Sequence, residues 1–509
     1  MNLMFTAGTT ALVMLLGSLH GTDIAQGVGR LRVTTPVSES PVAGEALAPL
    51  GWGLTKPAMN REIEGYTSVV SARPGDRVAL RVSTGARRFH VEAYRFGWYR
   101  NGRQARLIWR SDPVRGRRQA AAVFAPYETR TIVAPWRRSL VLPTRGWPEG
   151  AYVLKLIASS GFQAHVPFFV RSASSRGKVA LVAPVTTWQA YNDWGGYSLY
   201  KGRSGDRRAW AVSFDRPYPA PGAGEMMYGV RPVVVRAERL GIPLAYMTNV
   251  DLAARRRILR GARGYVSMGH DEYWTLPMRR RVLRARGHGT NLAFLGANTM
   301  YWRIRLEDRN SRPRRVVVGY RSDAHLDPMR YIRPAYTTAR FRDRPVPRPE
   351  NSLIGMQYEC FPVDVPYRVM TPRWWGFAGT RVRRGSHFAN LVGIEADRVY
   401  PIASTPRPLQ ILSHARYSCR GVGTSAQSVY YTSSSGAGVF AAGTLRWTGA
   451  LGGMCGNGCT LSPRTVRFVR RVTANLLREF AKGRVGRRYP ARDNVAEFNL
   501  PRTNQVPAS

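Results

Sequence analysis

The sequence predicts two folded domains, an all-β sandwich of immunoglobulin-like type followed by a doubly wound α/β domain. Short alternating strands with turn signals between them, from Ile63 to Val170, indicate the sandwich. After Lys178, unbroken apolar runs alternate with helix patterns, which is typical of parallel strands buried on both faces. A hydrophobic content of 44% supports large cores and argues against a disordered chain.

Changes in composition along the chain give the predicted domain boundaries. We expect a signal peptide or anchor at 1–26, a disordered lead-in at 27–60, the sandwich at 61–173, the α/β domain at 177–482 and a basic tail at 483–509. The interval of about 305–435 has weak periodicity and many Pro, Trp and Arg residues. It is interpreted as an irregular insertion or as further β structure packed on the sheet.

The N-terminus and the cysteines both bear on location. The apolar core of residues 1–17 is short for a membrane span and small residues follow it, which favours a secretion signal. The segment lacks the clear basic n-region of a signal peptide, so an uncleaved membrane anchor is the alternative. We therefore expect a secreted or periplasmic protein with two disulfides. Cys455 and Cys459 could close a small loop, leaving Cys360 with Cys419; a metal knuckle is less favoured, because no histidine lies nearby.

The net charge of +46 is extreme and comes mostly from arginine. Such a surface could bind an anionic polymer, an acidic membrane or nucleic acid. The arginines are spread through all segments and no nucleic-acid recognition motif is present, so nucleic acid is not the expected partner. We favour the simpler interpretation that arginine covers the solvated faces throughout.

Each predicted element follows from a local pattern. In the sandwich, strand patterns occupy 68–83 around a Pro-Gly turn, 90–99, 131–134, 139–142, 151–157 and 165–170. In the α/β domain, strands are predicted at 178–184, 244–248, 265–268, 291–296 and 436–445. Helices are predicted at 231–240, 251–260, 278–286 and 463–480, the last opened by Ser462 and Pro463.

The stretch Gly264–Trp274 organises the second domain. A short apolar run turns at Gly269 and presents His270, Asp271 and Glu272 before a helix whose predicted N-cap is Thr275. On an extended turn His270 and Glu272 point to one side and Asp271 to the other. The alternative is a solvated loop in which Asp271 caps the next helix.

Three strand ends are predicted to meet at one edge of the sheet, because parallel strands share a carboxyl edge. They carry Tyr191 and Asn192, then His270 and Glu272, then Asn298. Folds of the class I glutamine-amidotransferase-like type, to which we assign the α/β domain, place a Cys or Ser nucleophile at the strand-to-helix elbow. Here the elbow holds Gly269-His-Asp-Glu272, which argues against a covalent thiol mechanism.

Carboxylate and phenolate oxygens instead favour a hard metal ion such as iron(III). For Tyr191 alone, the competing interpretation is an aromatic side chain in the core with a bonded hydroxyl. Identification of a metal site therefore depends on the other residues at the same edge.

Three motifs stand out in this region: Thr187-Trp-Gln-Ala-Tyr-Asn-Asp-Trp-Gly-Gly196, Gly269-His-Asp-Glu-Tyr-Trp274 and Gly296-Ala-Asn-Thr-Met-Tyr-Trp302. They resemble the large-subunit domain of N,N-dimethylformamidase and its relatives. The resemblance implies a mononuclear Fe3+ site held by two tyrosines and one glutamate, with a catalytic histidine and a supporting amide. It assigns Glu272 and Tyr191 as metal ligands, His270 as the catalytic histidine and Asn298 as the amide. Tyr152, after Trp147-Pro-Glu-Gly-Ala151, is the matching second tyrosine.

The resemblance further implies hydrolysis of a small formamide to an amine and formate, and pairing with a small subunit. The alternative is a non-catalytic exported protein on the same scaffold that binds an anionic polymer or glycan. In that case the aromatic loop Trp188–Tyr200 would be a surface for sugar stacking.

Overall fold

The computed structural model describes residues 51–203, 205–456 and 458–506. The predicted signal peptide or anchor at 1–26 and the lead-in up to residue 50 lie outside these residues. The end of the lead-in, which we expected to be poorly ordered, makes defined contacts with the sandwich. The Lys155 Nζ donates to the carbonyls of Gly51 and Gly53 at 2.8 and 2.6 Å.

The N-terminal part of the described chain consists of short strands. They are β1 (Ile63–Thr67), β2 (Ser71–Ala72), β3 (Arg77–Thr84), β4 (Arg88–Phe96), β5 (Ala105–Arg110), β6 (Val114–Arg115), β7 (Val123–Phe124), β8 (Ile132–Val133), β9 (Leu140–Pro143), β10 (Gly150–Ala158) and β11 (Gln163–Val170). A 3-stranded sheet has the order β1-β3-β9, and a 6-stranded sheet has the order β2-β11-β10-β4-β5 with β6 beside β4. Alternate residues of both sheets, such as Leu80 and Leu154, share one core, which agrees with the predicted sandwich.

The remaining strands build the rest of the molecule. They are β12 (Val179–Ala183), β13 (Ala211–Ser213), β14 (Leu244–Thr248), β15 (Gly264–Ser267), β16 (Tyr273–Thr275), β17 (Asn291–Phe294), β18 (Trp302–Arg309), β19 (Arg312–Val318), β20 (Gln357–Arg368), β21 (His387–Arg398), β22 (Leu409–Cys419), β23 (Val422–Thr432) and β24 (Gly438–Ala441). The interval 305–435 thus holds long strands, so of the two interpretations offered for it, further β structure is the one observed.

The helices are few and mostly short. They are α1 (Val185–Tyr191), α2 (Arg231–Arg239), α3 (Asn249–Ala254), α4 (Leu276–Gly287), α5 (Met329–Ile332), α6 (Asn351–Ile354), α7 (Arg446–Leu451), α8 (Pro463–Ala481) and α9 (Val485–Arg488). The predicted caps are present: the Thr275 side chain accepts from Met278 N, and the Ser462 side chain accepts from Thr465 N. Among the described helices, none combines the length and apolar character needed to cross a bilayer.

A 7-stranded sheet of order β14-β12-β15-β17-β24-β23-β22 is the centre of the second part. The first five of these strands run parallel, and β23 and β22 continue the sheet antiparallel. Both faces are buried: Leu181 packs in one core with residues of α8, and Val182 packs in the other with residues of α4. A strand covered on both faces has no alternating polar side, which explains the unbroken apolar runs of the sequence.

Taken as a whole, the described chain is mostly β-sheet, divided among several sheets, with few helices. The doubly wound class stays a prediction for the second part.

Both disulfides were among the pairings considered from the sequence. Cys360 pairs with Cys419, and Cys455 pairs with Cys459. No free cysteine is present. The first bond joins the start of β20 to the end of β22, whereas the second closes a loop within a few residues.

Candidate active site

The carboxyl ends of three neighbouring parallel strands bring the candidate residues together. β12 leads into α1, which ends at Tyr191, while β15 is followed by His270 and Glu272, and β17 by Asn298. Because β12 pairs with β15 and β15 with β17, these ends lie at one edge of the sheet. The backbone must turn sharply there.

Two glycines permit this turn. Gly269 has φ of +79°, a conformation that other residues adopt only with strain. A Cβ on Gly296 would lie 2.3 Å from the Gly269 carbonyl oxygen, so the turns after β15 and β17 can approach each other only with glycine at this position.

Glu272 is the centre of the site. Its side chain is 2% exposed and accepts hydrogen bonds from two tyrosine hydroxyls. The Tyr191 hydroxyl lies 2.8 Å from Oε2, and the Tyr200 hydroxyl lies 2.9 Å from both carboxylate oxygens. The two rings stack with centroids 4.3 Å apart, and Tyr273 donates its own hydroxyl to that of Tyr200 at 2.7 Å. Two phenol oxygens and one carboxylate therefore face one another.

His270 lies between two acidic side chains. Its Nε2 is 3.4 Å from Oε2 of Glu272 and 3.4 Å from Oε2 of Glu395, which β21 brings from a distant part of the chain. The Asn298 side chain hydrogen-bonds to Glu395, and the Asn298 amide N–H donates to Asp397 Oδ1 at 2.8 Å. The histidine thus has carboxyl groups on both sides, and Asn298 holds one of them.

Asp271 has a structural role in the same turn. It is fully buried and its Oδ2 accepts from the Ser267 hydroxyl at 2.7 Å. Burial raises the pKa of Asp271 to about 6. The N-cap of α4 is Thr275 and not Asp271, so the alternative of a capping loop does not describe this turn.

Burial dominates the electrostatics of the site. It lowers the pKa of His270 to about 4 and raises that of Glu272 to about 7. The pKa of Glu395 is raised further above its usual value, first by burial and then by the neighbouring Glu272 charge. Arg321 opposes this effect at Glu272; its guanidinium carbon lies 3.7 Å from the ring centroid of Tyr200. At neutral pH the imidazole is therefore uncharged, and burial together with the nearby Glu272 favours the protonated form of Glu395.

Several buried polar atoms at the site have no hydrogen-bond partner among the protein atoms. They are His270 Nε2, Glu395 Oε2 and Asn298 Oδ1. Buried polar groups are normally satisfied, and unpaired ones that face a common point indicate a place for a ligand. Within the described ranges, no group of three or more His, Cys, Asp and Glu side chains is arranged to hold a metal ion. Any metal-ligand set here would have to include the tyrosine oxygens.

The structure does not bring Tyr152 to this site, and that part of the prediction is wrong. Tyr152 is fully buried in the sandwich core, where its ring stacks on Trp147 at 5.4 Å. Its hydroxyl donates to the Pro148 carbonyl at 2.6 Å. A tyrosine that bonds to the backbone a few residues upstream is a device that stabilises sandwich corners. Its hydroxyl is therefore occupied by the fold.

Sequence reasoning missed Tyr200, Glu395, Tyr273 and Arg321. Tyr200 ends the aromatic loop that the sequence had marked, and Tyr273 directly follows Glu272, so both gave a local signal. Glu395 and Arg321 lie in the interval of weak periodicity, where no such local signal is present. Tyr191, His270, Glu272 and Asn298 lie where the strand order predicts them.

Comparisons with known proteins agree with the motifs of this edge. The profile of the family described as N,N-dimethylformamidase beta subunit-like, C-terminal, matches residues 90–460, which include every residue of the site. No curated protein matches the chain in sequence. One similar solved structure is a Paenibacillus sp. cycloisomaltooligosaccharide glucanotransferase complexed with cycloisomaltoheptaose, at 10% identity and a TM-score of 0.15. That match covers 27% of this chain and 18% of the other, and so weak a likeness carries no argument.

Proposed function

The chain belongs to the N,N-dimethylformamidase beta subunit-like family, and from this premise we propose that it hydrolyses a C–N amide bond of a small, formamide-like substrate. The observation that carries the proposal is the convergence of Tyr191, Tyr200 and Glu272 beside His270. A non-catalytic binding scaffold is not favoured, because a surface for polymers would not need the buried carboxyl groups of Glu272 and Glu395. The predicted doubly wound topology is part of the same proposal, because the strand ends that carry the site residues follow from it.

We propose Tyr191, Tyr200 and Glu272 as the residues that would hold a mononuclear iron(III) ion. The fit is supported by the chemistry of the donors, because two phenol oxygens and a carboxylate become three anionic oxygens once deprotonated. Tyr200 takes the place that we had assigned to Tyr152. Bound there, the ion would supply Lewis acidity toward the amide carbonyl oxygen.

His270 is proposed as the proton-transfer group. Burial keeps its imidazole uncharged at neutral pH, so Nε2 can accept a proton from the attacking water. Oε2 of Glu395 lies 3.4 Å away, and burial and the nearby Glu272 favour the protonated form of its carboxyl group, so a proton can move between these two atoms. When the C–N bond breaks, the proton taken from water returns to the amine nitrogen. One amide and one water are thus converted into one amine and one carboxylic acid.

Asn298 and Asp397 are proposed to orient His270 and Glu395. The Asn298 side chain bonds to Glu395, and Asp397 holds the backbone of Asn298, whose φ is +55°. The free Oδ1 of Asn298 can then accept from the attacking water or from a substrate N–H. These contacts would limit the number of positions open to the carbonyl carbon and the water.

The pairing of all four cysteines supports a compartment outside the reducing cytosol. We propose that the enzyme is exported, in keeping with the expected signal at its N-terminus. We further propose a small subunit and an anionic polymer as partners of this chain.

The test combines metal analysis with a hydrolysis assay on the purified full-length chain. N,N-Dimethylformamide and N-methylformamide are the probes, and amine and formate are measured. We expect about one iron per chain and hydrolysis of at least one probe, with both lost in Glu272→Gln. Tyr152→Phe is the matched control and should keep both.

Two results would change the assignment. A wild-type chain that is folded and metal-free and leaves both amides intact would overturn the formamidase proposal. Zinc in place of iron, with hydrolysis intact, would keep the amide hydrolase and reject the iron site.

A further inference from the structure

Three large apolar side chains lie exposed within a few residues of one another in the segment between β19 and β20. Leu326 is 46% exposed, Tyr331 is 80% exposed and Ile332 is 69% exposed. We call these three residues the apolar tip. Tyr127, which is 72% exposed, contacts the edge of the Phe124 ring and has one exposed apolar neighbour in sequence, Val123 at 44%. Single exposed apolar residues are ordinary, whereas a local group of them indicates a binding surface.

A buried carboxylate holds the apolar tip in place. Asp327, next to Leu326, is fully buried, and both of its oxygens accept from Arg305 Nη1, at 2.8 and 2.7 Å. Asp327 also accepts from Met329 N at 3.1 Å and from the amide and hydroxyl of Thr338 at 2.8 and 2.7 Å. Burying a charge requires this many partners. The hydrogen bonds of Asp327 therefore hold the backbone next to the apolar tip in one position.

The flanks of the tip are basic. Arg330 and Arg333 are exposed, and in the described part of the chain no ion pair includes either of them. Two exposed arginines at this surface make an anionic partner the complementary one. Apolar and aromatic side chains flanked by arginine suit the boundary between headgroups and acyl chains of an anionic bilayer.

We propose that residues 325–334 form a membrane-docking surface that inserts Leu326, Tyr331 and Ile332 into an anionic lipid bilayer. The surface is built from two short helical turns, Arg321–Leu326 and Met329–Ile332, and neither of them contains a buried residue. Arg330 and Arg333 would contact lipid phosphates while the tip enters the interface. The proposal does not depend on the proposed amide chemistry, and either can fail alone.

The absence of free cysteine allows a direct test. The variant Ile332→Cys provides a single thiol that can carry an environment-sensitive NBD dye, and Tyr127→Cys is the matched control. The probes are phosphatidylcholine vesicles with and without phosphatidylglycerol. The dye at 332 should brighten and shift to the blue only with the anionic vesicles, and the dye at 127 should not change.

Cosedimentation of full-length variants with the same anionic vesicles gives a second readout. The double variant Tyr331→Ser/Ile332→Ser should bind at least about fivefold more weakly, because two apolar side chains no longer enter the interface. Tyr127→Ser should bind like the wild type. Arg330→Gln/Arg333→Gln should weaken binding more than Arg467→Gln/Arg471→Gln, which removes the same charge from exposed positions on α8.

Three outcomes would overturn the proposal. One is sedimentation with vesicles while the dye at 332 stays unchanged, which would assign binding to net charge or to the N-terminal apolar segment that all variants share. Another is a dye response without vesicles that grows with protein concentration, which would assign the tip to a protein contact. The third is an absence of vesicle binding at low salt.

Discussion

Tyr152 in the sandwich and Tyr200 at the edge of the main sheet have hydroxyls that are both hydrogen-bonded, yet to different kinds of partner. The Tyr152 hydroxyl donates to a backbone carbonyl, and its ring is fully enclosed. The Tyr200 hydroxyl donates to Glu272, which also receives Tyr191 and lies beside His270. The first arrangement satisfies every group and stabilises a fold. The second gathers several ionisable groups around one buried carboxylate, which is how functional sites differ from cores.

Two histidines extend this comparison: His165 is buried in the sandwich, and the side chain of His270 is 16% exposed. His165 in β11 bonds to the Trp52 carbonyl at 2.8 Å, whereas His270 lies between two carboxyl groups. Burial lowers the pKa of both to about 4. A shifted pKa therefore does not by itself distinguish a site from a core; the partners do.

The largest expected effect is at His270. His270→Gln should reduce amide hydrolysis by about 100-fold to 10,000-fold, because the proton acceptor is lost. Its melting temperature should match the wild type, since Nε2 has no hydrogen-bond partner to lose. Steady-state rates and thermal melts measure the two effects. His165→Gln is the control with full activity, and equal losses of activity in both variants would contradict the comparison.

The two tyrosines should separate activity from stability. Tyr200→Phe should lower the rate by about 10-fold to 100-fold, because a proposed ligand is removed, with little change in stability. Tyr152→Phe should leave the rate unchanged and destabilise the chain by about 1–3 kcal/mol, because the Pro148 carbonyl loses its buried donor. Denaturant unfolding and rate measurements on the same preparations test both. A Tyr152→Phe variant that is stable but inactive would return Tyr152 to the site.

His165 should make the sandwich sensitive to acid. Its folded pKa of about 4 lies below the value near 6.5 of an unfolded histidine, so the unfolded chain binds more protons. Stability is therefore complete above pH 6.5, falls as pH drops toward 4, and is level below that. The loss due to this group should reach about 2 kcal/mol at pH 5.

His165→Gln is the variant that isolates this effect, because its amide can still donate to the Trp52 carbonyl. The free energy of unfolding of the variant and the wild type should be compared from pH 7.5 to 4.5. The difference between them should shift in favour of the variant as pH falls. A difference that does not vary with pH would show that His165 is not held uncharged in the fold.

The parts of the fold that could be predicted are those with a local sequence pattern, such as an apolar run or a helix cap. The apolar runs that became β12, β14, β15 and β17 were recognisable because each strand is buried on both faces. Thr275 and Ser462 marked the starts of α4 and α8 through their side-chain caps. The strands of the interval 305–435 are long but interrupted by register shifts, as between Val365 and Tyr367 in β20, so their periodicity is weak.

The site was predictable to the extent that strand order decides it. Tyr191, His270, Glu272 and Asn298 follow strands that lie side by side, so topology alone brings them together. The direction of a hydroxyl is not a topological property, and a short motif could not show that Tyr152 faces Pro148. Glu395 reaches His270 only because β21 packs against this edge, a long-range contact without a local sign in the sequence.

The smallest expected effect tests whether surface charge beside the site matters. Lys201 directly follows Tyr200 and its Nζ lies 2.8 Å from Asp193, but its side chain is 61% exposed. Exposed pairs of this kind contribute between about 0 and 1 kcal/mol and are screened by salt. Lys201→Gln should therefore change the rate less than about twofold and leave the melting curve unchanged at physiological salt. A larger fall in rate in the variant, together with a wild-type rate that decreases as salt is raised, would show that the charged surface takes part in substrate capture. In that case catalysis would depend on the arginine-rich surface as well as on the residues around Glu272.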